Sequence, residues 1–285
     1  MGGLLNNSHN TIKNRFKITN NIVRLTRDLL LAGVIKMRYT TSNPVMTQNF
    51  WSNIQGQNTM TLQGTIGKLA YLLGVVTVVA FCAAYVALDA LEAGNAGVIN
   101  GMTWGGLFGG IVVAVILMIM RPENPAILMT IYAVMQGLFV GSLSLIFETF
   151  YQGIILQAAF GTLFITGSML FIYSSRIIRP TPTFNKVIGS MVFSIMMLYL
   201  VSIMFYFFTP FQVPYLHSSG PIGIGITVFI LCIAALSLIS DFGFIESGVK
   251  WNAPKNAEWW GAFGVLVTII WIYIEMVRLL SKIRD

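Results

Sequence analysis

Charge is scarce in this chain. Only 9% of its 285 residues are Asp, Glu, Lys or Arg, against roughly 25% in an ordinary soluble domain. With 56% of the residues hydrophobic, too little polar surface remains to coat a globule in water. Cysteine and histidine are scarcer still, with two of each. Cys82 and Cys232 both sit inside apolar runs, so neither a disulfide framework nor a zinc site is indicated. His9 lies in a polar leader and His217 in a loop, which gives a histidine-built metal centre little to work with.

What the chain does have is long apolar runs. A bilayer core about 30 Å thick requires roughly 20 apolar residues per helix. Runs of that order fall at approximately 69–88, 102–120, 126–147, 153–173, 187–209, 221–245 and 259–277. They predict an all-α, polytopic membrane protein: a seven-helix transmembrane domain over 66–285 behind a polar, basic leader over 1–65. In the leader, Lys13, Arg15, Lys17, Arg24, Arg27, Lys36 and Arg38 stand against Asp28 alone. For a membrane protein this points to anionic lipid headgroups rather than nucleic acid. The stretch "NNIVRLTRDLLLAGVIKM" has the apolar spacing of a helix lying on the membrane surface. Disorder, a targeting segment and an upstream start ahead of Met37 compete with that reading, and composition favours the last, making 1–36 an extension. The opening "MGGLLN" carries Asn6 where a myristoylation signal needs Ser or Thr.

Lys and Arg in the loops set the orientation. With the N-terminus inside, the inner loops hold Arg121, then Arg176, Arg179 and Lys186, then Lys250 and Lys255, whereas the outer ones hold Asp89, Glu92 and Glu148. A cytoplasmic N-terminus follows. Seven crossings then leave Lys282 and Arg284 outside, against the rule, unless the last helix crosses only in part. Small residues recur at four-residue spacing in "GMTWGGLFGG" and at Gly137 and Gly141. Such faces let helix backbones approach in lipid, and packing is their expected role. Trp259 and Trp260 open the last span, where interfacial aromatics commonly sit.

Ionisable residues inside membrane spans are functional candidates by default. Asp241, in "SLISDFGFIESG", lies near the inner end of the sixth run; it is either an interfacial carboxylate wetted from the cytoplasm or a proton-sensitive latch. Arg121, in "MIMRPENP", ends the second run at the same face. It is either a snorkelling anchor or a partner for Asp241. Glu275, in "WIYIEMVRLL", is followed three residues later by Arg278 on the same helical face. The pair either neutralises itself within the helix or leaves Glu275 to line a wet cavity, where oxygen ligands suit calcium. Enzyme signatures fail. "DFG" lacks a phosphate loop and a catalytic loop, "HSSG" lacks an orienting acid, and the Gly-x-Gly-Asp element of intramembrane aspartyl proteases is absent. No enzyme is expected.

Taken in order, "SNPVMTQNF", "RPENPAILMTIYAVMQGLFVGSLSLIFETFYQGIILQAAFGT", "RPTPTFNKVI", "SDFGFIESGV" and "NAEWWGAFGVLVTIIWIYIEMVRLLSKI" resemble a bacterial branch of the transmembrane Bax inhibitor motif family, over residues 37–285. The resemblance implies a seven-helix bundle with the last helix central, and a pH-sensitive calcium leak. It also implies that acids on the sixth and seventh helices share a proton, while an arginine ending the second helix latches the closed state. Asp241 matches the sixth-helix acid, Arg121 the arginine and, by its "IYIE" context, Glu275 the seventh-helix acid. A different register sets Thr268 opposite Asp241 and leaves no acid pair. Gln136 stands where many relatives have Glu. Glu148, Thr268, Gln136 and Arg278 are the lesser candidates.

The leading expectation is therefore a proton-gated calcium leak in a bacterial inner membrane. The lipid bilayer is its surroundings, calcium is the permeant ion with any binding near Asp241, and no cofactor is expected. The competing expectation is a non-transporting interaction protein that restrains another membrane protein, such as a membrane-bound protease, through its small-residue faces and basic leader.

Overall fold

A computed structural model describes residues 59–208 and 218–285. Most of the leader, including its amphipathic stretch and Met37, lies outside those residues, as does His217. Within a bilayer, backbone polar groups must be satisfied inside the protein, which a helix does within its own segment. The described residues accordingly form seven helices: α1 (Leu62–Glu92), α2 (Ala96–Met120), α3 (Ala126–Phe150), α4 (Ile154–Ser174), α5 (Pro182–Phe208), α6 (Pro221–Lys250) and α7 (Ala257–Arg284). Each is long and apolar enough to cross a membrane.

The helices outrun the apolar runs at their ends, because polar residues there remain helical when capped. The first described helix thus begins at Leu62. Thr61 is the N-cap of α1, its Oγ1 accepting from the Gly64 amide at 3.0 Å, which satisfies one of the donors that a helix start leaves open. Breakers sit where the chain reverses. Gly94 and Gly153, with φ of +70° and +78°, turn the chain between α1 and α2 and between α3 and α4. Arg121, in left-handed geometry before Pro122, stops α2. Pro221 begins α6, at the position where a missing N–H costs nothing.

Two helices make the centre. In the apolar windows of α6 and α7, 56% and 50% of residues are buried, against 44% for α3 and 11–22% for α1, α2, α4 and α5. The last helix is central, as the family resemblance implies, and shares that place with α6. One core cluster joins Leu72 of α1, Leu117 of α2 and Met129 and Tyr132 of α3 to Trp260, Phe263 and Leu266 of α7. A second packs Leu231, Ala234, Leu238 and Ile245 of α6 against Val265 and Ile272 of α7. Trp260, placed at the interface by the sequence pattern, is buried in the first cluster. Outward, Phe81, Tyr85, Ile119 and Phe164 are each more than 70% exposed, the surface that lipid covers. α7 runs the full length of the bundle: its first turn meets the start of α1 and its last residues meet the α3–α4 turn.

The small-residue faces pack as their spacing predicts. Gly106 of α2 lies so close to α3 that a Cβ there would stand 2.6 Å from the Phe139 amide nitrogen. Gly141 of α3 lies directly on the Ala80 backbone of α1. Thr103 Oγ1 donates to Ser142 Oγ at 2.9 Å across the α2–α3 contact. Gly141→Ala is therefore expected to destabilise the protein by about 1–3 kcal/mol through overpacking. Gly167→Ala, where a Cβ meets nothing within 4 Å, serves as control. Thermal unfolding in detergent tests this, and equal melting of the two variants would show that the close approach is not required.

Candidate functional site

Asp241 is completely buried on α6. It lies nine residues, about 13 Å of helix, before Lys250 ends the element. Its side chain has no exposed surface there. Its Oδ2 accepts a 2.7 Å hydrogen bond from Thr268 Oγ1 of α7, a hydroxyl that also lies 3.3 Å from the Gly264 carbonyl of its own helix. One residue before Asp241, Ser240 Oγ donates to Asn185 Oδ1 of α5 at 2.9 Å. Two residues after it, Gly243 lies against Pro180. The acid is thus held among α5, α6, α7 and the segment entering α5.

The register of α6 against α7 decides which side chain faces it. Lys282 Nζ donates to Thr227 Oγ1 at 2.9 Å and to the Gly223 carbonyl at 3.1 Å. Thr227 and Asp241 are fourteen residues apart on α6, and Lys282 and Thr268 are the same fourteen apart on α7. Two contacts with equal spacing fix an antiparallel pairing in which Glu275 falls level with Ala234. Asp241 therefore meets Thr268 and not Glu275. The acid pair that the "IYIE" context suggests would require a slip of seven residues, about 10 Å.

Glu275 belongs to a separate buried group. Its Oε1 accepts from Tyr199 Oη of α5 at 2.6 Å and from Arg278 Nη1 at 3.3 Å. Arg278 Nη1 also donates to Tyr199 Oη at 2.6 Å, with the guanidinium 4.8 Å from the centre of that ring. The pairing within one helix, three residues apart, is what the sequence spacing allows. Arg121 is exposed at the end of α2, its Nε 3.3 Å from the Met118 carbonyl. Gln136 is buried on α3 with its amide against Gly110 of α2. Glu148 accepts from the amides of Gly153 and Ile155 at 2.5 and 3.1 Å, placing its charge at the positive start of α4. Among the described residues, no three His, Cys, Asp or Glu side chains gather as a metal site.

Two features of α7 escape the sequence reading. Glu258, in its first turn, is fully buried. It accepts from the Thr61 amide and hydroxyl, both at 2.8 Å, and pairs with Lys255 at 2.7 Å and with Lys68. Gly64 admits this carboxylate, because a Cβ there would collide with it. Lys255 three residues ahead is visible in the sequence, but Lys68 and Thr61 become neighbours only through the fold. At the opposite end, Asp285 accepts from Ser219 Oγ at 2.6 Å and from Tyr151 Oη. These hydrogen bonds, Ser219 first, hold its carboxyl below the usual aspartate range.

Thr268→Val removes the donor to a buried carboxylate, at an expected cost of about 1–3 kcal/mol, whereas Thr268→Ser keeps most of the stability. Equilibrium unfolding in detergent measures both, and a Val variant as stable as the parent would mean that Asp241 does not depend on that hydroxyl. The Asp285 tie has a pH signature of fixed sign. Because its pKa is depressed in the folded state, its contribution is present above the ordinary aspartate pKa of about 4 and is lost as pH falls through the lowered value. Asp285→Asn should therefore melt below the parent at neutral pH and converge with it in acid. A pH-independent gap would refute the tie.

A model of the family described as Bax inhibitor 1 like matches residues 43–285. No curated protein and no solved structure matches the chain. Seven apolar helices and a family match over most of the length make this an integral membrane protein that belongs to the Bax inhibitor 1 like family.

Proposed function

We propose that the protein is a pH-sensitive calcium leak in a bacterial inner membrane, with its N-terminus in the cytoplasm and no enzymatic step. The observation that carries this reading is the complete burial of Asp241 on a central helix, hydrogen-bonded to Thr268 across the α6–α7 seam. An ionised carboxylate only accepts hydrogen bonds, whereas a protonated one also donates. Gaining a proton therefore changes what the seam can hold at that depth. In the ionised form the carboxylate and the threonine hydroxyl offer hard oxygen ligands of the kind calcium takes. Among lipid-facing helices, an acid in the interior is more readily understood as part of an ion pathway than as a packing residue.

Arg121 serves in this proposal as a countercharge at the cytoplasmic mouth. It ends α2 at the end of the bundle where α7 begins, since the α2–α3 turn is joined there by a 3.1 Å bond from Asn256 Nδ2 to the Glu123 carbonyl. Deprotonated Asp241 favours the cationic partner or a bound cation, and protonation releases it. Flux is thus expected to rise as pH falls.

Purified protein in liposomes loaded with a calcium indicator, assayed between pH 6 and 8, tests the proposal. The expected result is a calcium flux that increases toward pH 6 and loses its pH dependence in Asp241→Asn. No flux at any pH, or an Asp241→Asn variant with the parent profile, would sink it.

A further inference from the structure

The α6–α7 seam carries a second set of charges that the Asp241 mechanism does not use. Thr268, Glu275 and Lys282 recur every seven residues on α7 and so share one face. Arg278 joins that face three residues after Glu275 and four before Lys282. Glu275 and Lys282 are buried, and Arg278 is partly so. The lysine does not reach outward as membrane lysines near a helix end commonly do. Its ammonium is instead lodged against the Gly223 carbonyl and the Thr227 hydroxyl of α6, oxygens of the kind that would line a cation path. Arg278 lies one turn further in, held by Glu275 and by the Tyr199 ring of α5. The second oxygen of Glu275, Oε2, is buried and receives no hydrogen bond from a described residue. Asp285, the next acid along, is exposed and engaged by Ser219 and Tyr151.

Among the described residues, the face of α7 from Thr268 to Lys282 thus carries two cations and one anion. From this we infer that Arg278 and Lys282 form a charge gate in the seam, with Lys282 acting as a tethered cation at the mouth and Glu275 offsetting one of the two charges. The inference rests on the calcium-leak reading and adds to it residues that hold calcium passage low relative to that of monovalent cations. Fixed positive charge in a narrow pathway excludes cations, and it acts twice as strongly on a divalent ion as on a monovalent one.

Calcium and potassium fluxes are measured in liposomes containing the parent, Arg278→Gln, Lys282→Met, Lys282→Arg, Glu275→Gln and the double variant Glu275→Gln/Arg278→Gln. Removing either positive charge should raise calcium flux about tenfold and potassium flux less. Lys282→Arg should keep the parent flux, and Glu275→Gln should lower it. The double variant restores the parent charge and should return to the parent flux, a reversal that loosened packing would not produce. If the parent leaks and Arg278→Gln and Lys282→Met leave it unchanged, or if both ions rise equally, the charge gate is overturned and the leak stands. If the parent is silent and the charge-removal variants conduct, the gate stands and the parent leak falls. Silence throughout overturns both. Should Arg278→Gln fail to fold, Lys282→Met against Lys282→Arg decides the question.

Discussion

Two hydrogen bonds, from Thr268 to Asp241 and from Lys282 to Thr227, lock α6 and α7 into a single register, and the chemistry of the interior depends on that lock. Lipid provides no hydrophobic force to hold two apolar helices in place, so polar contacts and close packing must do so. Each of these bonds also settles a polar group that the low-dielectric interior would otherwise leave stranded. The same contacts therefore both fasten the central pair and place its charges.

That placement divides the interior by depth. At the cytoplasmic end of the proposed topology, Glu258 gathers Lys68, Lys255 and Thr61 and joins the start of α1 to the start of α7. Further in, Asp241 faces Thr268 across the central seam. Beyond it stand Glu275, Arg278 and Lys282. The buried carboxylates thus differ in setting: one is wrapped by two lysines, one is bonded to a hydroxyl, and one is shared between an arginine and a phenol. Burial alone does not make them equivalent.

Much of the architecture is legible in the sequence, because a bilayer imposes length and hydropathy on every helix that crosses it. The seven runs and the glycine faces at Gly106 and Gly141 follow from local rules. The partner of Asp241 does not. Local context favours Glu275, and only the relative slide of two helices, a property of neither alone, selects Thr268. The seven-residue recurrence of Thr268, Glu275 and Lys282 was the available signal; matched with Thr227 and Asp241, fourteen apart on α6, it encodes the register. Trp260 likewise follows a local pattern to the interface, yet the fold draws it into the core between α1, α3 and α7. Glu258 was hidden for a similar reason, since Lys68 and Thr61 lie about 190 residues away in the chain.

The glycine contacts also distribute stiffness unevenly. Where α1, α2 and α3 touch backbone to backbone, any sliding would drive main-chain atoms into one another, so those three helices behave as a slab. α5 is different: it packs chiefly against α6, and its apolar window is the least buried of the seven. Displacing it disturbs the fewest neighbours, and its Tyr199 and Asn185 are the side chains that touch Arg278 and Ser240. The least buried wall of the bundle is therefore the one that touches the central pair at two depths.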